Sequence, residues 1–173
     1  MIERLFLMKK LICFFFLFLW MIPIFTEAIV EPSNTLYVTD QANVLTTETK
    51  DYIIQYSDFL SKSYQIHYYV VTVNSLEGYD LDTYAEMVFS SFQVGRNGLL
   101  IFFAKNDRRI KVVVGQELGL LLDNDTIQEG IDSYFMPYFK NDDWNHGIRN
   151  GYSAFYKMIC NYYPHRYIID HIF

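Results

Sequence analysis

The sequence predicts an α/β domain in which a mixed β-sheet is sandwiched between α-helices. Three observations carry that reading. Short runs rich in β-branched and aromatic residues alternate with segments whose apolar residues recur every three or four positions. Two of the runs, Gly98 to Ala104 and Ile110 to Gly115, are separated only by Lys105 to Arg109, a link so short that the two strands must pair antiparallel. The chain has 173 residues, 51% of them hydrophobic, enough for one ordinary core and hardly for two.

The first stretch stands apart from the rest. Met1 to Val30 reads MIERLFLMKKLICFFFLFLWMIPIFTEAIV, with the features of an export signal. Lys9 and Lys10 form a basic region, Leu11 to Ile22 an apolar stretch closed by Pro23, and Thr26-Glu27-Ala28 a small-x-Ala cleavage pattern. Met8 is an alternative start that would place both lysines directly before the apolar run. We therefore expect a signal peptide over 1–28, whose cleavage would leave about 145 residues, the size of one domain. Left uncleaved, Leu11 to Phe25 would nearly span a thin bilayer and serve as an anchor.

The remaining elements follow in order. Tyr37-Val38 is a short strand, with Asp40 just after it. Thr46 is a good N-cap, Glu48 lies in the first turn, and Ile53, Tyr56 and Leu60 keep helical spacing, so a helix is expected from Thr47 to about Ser63. Ile66 to Val73 reads as a strand. Leu81, Tyr84, Ala85, Val88, Phe89 and Phe92 form the apolar stripe of a second helix, ended by a turn between Gly95 and Gly98. A right-handed helical crossover should join the strands on either side of it. After the hairpin, helices are expected at Thr126 to Tyr138, with Asp125 as N-cap and Glu129 close behind, and at about Asp143 to Cys160.

Charge narrows the partners. Net charge is −6, and the leader holds Arg4, Lys9 and Lys10 against Glu3 and Glu27, so its removal would move the charge from −6 to −7. An acidic domain repels phosphate backbones, so nucleic acid is not an expected partner and cations are. Cys13 lies in the leader and Cys160 would be alone in the mature chain, so no internal disulfide is expected there.

Few motifs carry chemistry. Asp107 could supply a hard oxygen ligand, while Arg108 or Arg109 could hold a phosphate or orient the carboxylate. The same residues also suit the polar tip of a hairpin, where Asn and Asp favour turns. Asp123-Asn124-Asp125-Thr126 fails the EF-hand pattern, because its sixth loop position is Gln128 and its twelfth is Tyr134. Asp142-Asp143 before Trp144 suits a helix N-terminus. Cys160 and Arg166 have the spacing of a tyrosine-phosphatase loop, but the residues between them include no glycine and Pro164 removes an N–H donor. No HExxH, Gly-x-Ser-x-Gly or phosphate-binding glycine loop occurs, and His67, His146, His165 and His171 show no zinc spacing.

Longer segments carry a resemblance. VTDQANVLTTETKDYI, QIHYYVVTVNSLEGYDLDTYAEMVFSSFQVGRNGLLIFFAKNDRRIKVVVG and MPYFKNDDWNHGIRNG resemble the TPM domain, the module of YgcG-like exported proteins and of a thylakoid-lumen photosystem repair protein. The landmarks fall in order: Asp40 before a helix, Tyr84-Ala85, the Gly95 to Gly98 turn, Asp107-Arg108, Gly115, Pro137, and Gly147 with Gly151. The resemblance places a TPM-like domain over 36–160, with 161–173 as a C-terminal tail too short and polar to span a bilayer.

The resemblance implies an α/β/α domain outside the cytoplasm that is secreted, periplasmic or at the cell surface, often membrane-tethered. It also implies binding of Ca²⁺ or another divalent cation through loop carboxylates, and it makes Asp40, Asp107 and Asp123 the metal positions. The expected role is a non-catalytic accessory to a membrane or envelope protein; the alternative, known in one branch of the family, is a metal-assisted acid phosphatase. Two departures weaken the enzymatic carry-over. VGRNGLL is shorter than the family's usual loop, and after Gly115 this chain reads Gln-Glu-Leu-Gly-Leu, which takes Glu117 out of the family's usual register.

Overall fold

The computed structural model describes residues 30 and 37–172. The leader expected over 1–28 lies outside the described residues.

A four-stranded mixed sheet forms the centre. Its strands are β1 (Val38–Asp40), β2 (His67–Val73), β3 (Gly98–Ala104) and β4 (Arg109–Val114), side by side in that order. β1, β2 and β3 are parallel, and β4 returns antiparallel to β3 through the expected hairpin. The fold class is as the sequence predicts.

Alternation along β3 builds two cores at once. Leu99, Ile101 and Phe103 face one side, with α1 (Thr47–Tyr64) and the C-terminal helices, while Leu100, Phe102 and Ala104 face the other, with α2 (Leu81–Ser91). All of β3 is buried, which explains its continuous apolar run. Because α1 and α2 lie on opposite faces while the strands step in one direction, the β1–α1–β2 and β2–α2–β3 crossovers have opposite hands. One of them therefore runs against the usual right-handed preference.

Local chemistry sets the helix ends. The Thr46 hydroxyl accepts the Thr49 N–H at 3.3 Å and starts α1, and Gln65 ends it in the left-handed region at φ 56°. Inside α1, the Ser57 hydroxyl bonds the Tyr68 carbonyl at 2.7 Å and the Tyr152 hydroxyl at 2.8 Å, so the buried polar groups of this core are satisfied. Tyr68 and Tyr152 stack with centroids 4.2 Å apart, joining β2 to the last helix.

The C-terminal half differs from the sequence reading in its boundaries. After a 3₁₀ turn (Leu118–Leu120), the helix expected from Thr126 begins earlier as α3 (Asn124–Gly130), passes through a π-helical turn (Ile131–Phe135), and resumes as α4 (Met136–Phe139). Asp123, not Asp125, is the N-cap, because its backbone is extended and its carboxylate accepts the Thr126 N–H at 2.8 Å. The wide turn leads into Pro137, which has no N–H for the regular ladder, and the Met136 N–H reaches back to the Ile131 carbonyl. The last helix, α5 (Trp144–Ile172), continues through the segment expected as a tail and keeps Cys160 to Arg166 helical, so no phosphatase loop forms there. Among the described residues, no helix is long and apolar enough to cross a membrane.

Close approach of α5 to the π turn depends on small residues. A Cβ at Gly151 would lie 2.0 Å from the Phe135 Cζ, and one at Gly130 would lie 2.6 Å from the Phe155 Cζ. Each glycine admits the aromatic ring of the facing element, which lets the two backbones come together.

Candidate functional site

The parallel strands deliver three connections to one edge of the sheet, beyond their carboxyl ends, where open α/β sheets place their ligands. Asp40 ends β1 and is paired with Thr72 in β2, and Asp107 lies in the hairpin just after β3. Both therefore reach this rim.

The side chain of Asp40 is buried, only 2% exposed, and both of its oxygens are engaged. Oδ1 accepts the Thr72 hydroxyl at 2.6 Å and the Val44 N–H at 3.1 Å, while Oδ2 accepts the Leu45 N–H at 3.1 Å and lies 2.8 Å from the Lys50 Nζ. Burial is the strongest single influence on this carboxyl and opposes its ionisation. Lys50, Thr72, Val44 and Leu45 together outweigh burial and hold the group below its ordinary value of 3.8. An anion so fully bonded shapes the β1–α1 loop and has little left to offer a metal.

Asp107 is different. It is exposed, and its Oδ2 accepts the Leu76 N–H at 2.8 Å, while Oδ1 has no hydrogen-bond partner among the described residues. The surrounding backbone extends the sheet past its strands, with the Lys105 N–H on the Val73 carbonyl at 3.0 Å and the Asn106 N–H on the Asn74 carbonyl at 2.8 Å. The Asn74 amide reaches the Gln41 carbonyl at 3.5 Å. The loops after β1, β2 and β3 are thus linked pairwise, Gln41 to Asn74, Asn74 to Asn106 and Leu76 to Asp107. Gln41, Asn74 and Leu76 escaped the sequence reading; the signal that could have found them is their place one to three residues past a strand end.

The arginines divide. Arg108 takes the left-handed conformation at φ 54° and turns away from Asp107 toward the helices. Its Nη2 donates to the Phe139 carbonyl at 2.9 Å, its Nη1 pairs with Asp142 at 3.0 Å, and its guanidinium lies over Trp144, 5.2 Å from the ring centroid. It clamps the hairpin tip to the α4–α5 turn. Arg109 is exposed, with no hydrogen bond or ion pair among the described residues, and its charge helps to keep Asp80 ionised. Asp143, as expected of an acid at this position, accepts the His146 N–H at 3.3 Å at the start of α5.

Asp123 does not join this group. The chain returns along β4 to the opposite end of the sheet, where Gly115 pairs with Gly98, before reaching Asp123. There its carboxylate caps α3, and the Thr126 N–H holds it below its ordinary value. Among the described residues, no group of three or more His, Cys, Asp or Glu side chains is placed to hold a metal ion. Glu117, outside the family's usual register, pairs with Arg96 at 3.0 Å.

A two-sided α/β sandwich with a loop-built rim at its carboxyl edge is the class of protein these features define. The chain belongs to the TPM domain family, whose family model matches residues 38–158. Solved structures are similar in fold. The N-terminal domain of a P. gingivalis protein matches with a TM-score of 0.68 at 22% identity, over 72% of this chain and 82% of that one. The N-terminal domain of the cg2496 protein of Corynebacterium glutamicum matches with a TM-score of 0.58 at 17% identity, over 75% and 84%. The BA42 protein of Bizionia argentinensis matches with a TM-score of 0.57 at 18% identity, over 68% and 83%. No curated protein matches the sequence.

Proposed function

We propose that this chain is an exported TPM module, free or held at a membrane by its N-terminal segment. It binds one divalent cation weakly at the carboxyl rim and acts as a non-catalytic accessory to an envelope or membrane protein. The observation that supports the cation is Asp107, one of whose oxygens is fixed by the Leu76 N–H while the other has no hydrogen-bond partner among the described residues, at a rim where the loops after three strands are linked. Hard cations such as Ca²⁺ accept mixed sets of carboxylate, amide and backbone carbonyl oxygens. With a single free carboxylate oxygen and Arg109 close by in sequence, the affinity falls at the weak end, about 10⁻⁴ to 10⁻³ M.

Binding is favoured over catalysis because two groups that phosphate hydrolysis would draw on are held elsewhere. Asp40 is bonded to Lys50, Thr72 and two loop amides, and Arg108 to Phe139 and Asp142. Calcium titration of the full chain, followed by amide NMR, should shift Gln41, Asn74, Leu76 and Asp107 together, and Asp107→Asn should abolish the shifts. Unchanged spectra at millimolar calcium would remove the cation. Turnover of phosphomonoesters at acidic pH with calcium or magnesium, lost in Asp107→Asn, would replace this reading with the metal-assisted acid phosphatase.

A further inference from the structure

Among the described residues β4 is the last strand of the sheet, and no strand pairs with its outer edge. In an antiparallel pair, residues alternate between those bonded to the partner strand and those whose N–H and C=O point away. The Gly115 N–H bonds the Gly98 carbonyl at 2.8 Å, so by the register of the pair Val113 and Lys111 turn their backbone groups toward β3. Ile110, Val112 and Val114 turn theirs outward, about 6.8 Å apart along the strand, with no partner among the described residues.

This edge lies in a groove. A cavity of about 500 Å³ runs along Ile110 to Val114, walled on one side by Leu81, Asp82 and Glu86 of α2 and on the other by Asn124, Ile127 and Gln128 of α3. Its lining is mixed: Ile110, Val112, Val114 and Ile127 bring apolar side chains between polar groups that include the open strand edge. On the α2 wall, Asp82 pairs with Lys111 at 2.9 Å, whereas Glu86 is exposed and has no ion pair among the described residues.

We propose that the open edge of β4 takes up an extended segment of another polypeptide as a fifth strand, with alternate apolar side chains and a lysine or arginine that meets Glu86. Strand addition satisfies the outward N–H and C=O groups, and the pockets between β4 and its walls select the side chains. The walls argue against a second copy of this chain. Paired strands lie about 4.8 Å apart, and two copies would each bring helices about 10 Å across to the same side of that seam. The inference rests on the accessory reading and not on the cation site, because its residues lie on a different edge of the sheet.

The test is hydrogen exchange of the full chain, read by NMR, against a synthetic library of peptides of about six residues. The peptides alternate Val, Ile, Leu or Phe with Lys, Arg, Ser or Thr. The best binders should slow exchange at Ile110, Val112 and Val114 about tenfold or more, leaving Lys111 and Val113, already bonded to β3, unchanged. N-methylation of the peptide along its pairing edge should abolish the effect, and Glu86→Lys should weaken lysine- and arginine-bearing peptides about tenfold. The proposal is overturned if no library member protects those three amides or if N-methylated peptides protect them equally. It is also overturned if the three are already protected without peptide, through a segment of this chain or, when protection rises with concentration together with sedimentation, through a second copy. Loss of calcium shifts at Asp107 would leave this result untouched, so failure of the cation reading and failure of the docking edge are separately visible.

Discussion

The Lys50 ammonium lies 2.8 Å from Asp40 Oδ2, one turn into the helix that follows the loop Asp40 itself organises. The pair joins the end of β1 to the start of α1. It makes Asp40 a brace for the rim whose amides and carbonyls the adjacent loops present.

Removing this brace should cost stability before anything else. Asp40→Ala leaves the Val44 and Leu45 N–H groups, the Thr72 hydroxyl and Lys50 without their acceptor, a loss of about 2–4 kcal/mol. Asp40→Asn, which keeps an oxygen acceptor, should lose about half as much. Urea unfolding of the two variants checks the order.

The same group gives a pH signature. Its folded value lies below the ordinary 3.8, so its contribution is fully present above that value and is lost as pH falls through the lower folded value. The stability gap between the natural chain and Asp40→Asn should therefore be constant near neutrality and shrink at pH below 3.8. A gap that widened on acidification would contradict the assignment.

Arg108 offers a test of the clamp. Arg108→Ala loses the bond to the Phe139 carbonyl, the Asp142 pair and the Trp144 face while keeping a side chain at φ 54°, and should cost about 1–2 kcal/mol. Arg108→Gly loses the same contacts but relieves the left-handed backbone. It should be the more stable of the two by about 1 kcal/mol, as measured by thermal melts.

At Gly151 two effects oppose each other. Alanine is favoured over glycine inside a helix by about 1 kcal/mol, but its Cβ would meet the Phe135 ring at 2.0 Å. The clash should win, with a net loss of about 1–3 kcal/mol. Adding Phe135→Leu to Gly151→Ala should recover part of the loss, and a double-mutant cycle measures the coupling.

Asp107 should behave in the opposite way to Asp40. Its exposed carboxylate makes one hydrogen bond, to Leu76, so Asp107→Ala should cost about 1 kcal/mol or less. The amide shifts that the proposed calcium site predicts should be absent from this variant all the same.

The sequence by itself determined the strands, the helical faces and the hairpin, because each is written in local periodicity: the unbroken apolar run of β3, the stripe from Leu81 to Phe92, and the short link from Lys105 to Arg109. It also carried the family, through landmarks such as Asp107-Arg108 and the glycines at 147 and 151. The contacts of those residues emerge only in the folded chain. Asp40 and Asp107 share a rim, yet one is neutralised by Lys50 and the other keeps an oxygen free. Arg108 belongs to Phe139 and Asp142, and Asp123 stands at the far end of the sheet as a helix cap. The reason is physical: a carboxylate's chemistry is set by the donors that surround it. Here those donors come from strands, loops and helices up to 32 residues away along the chain, where no local pattern records them.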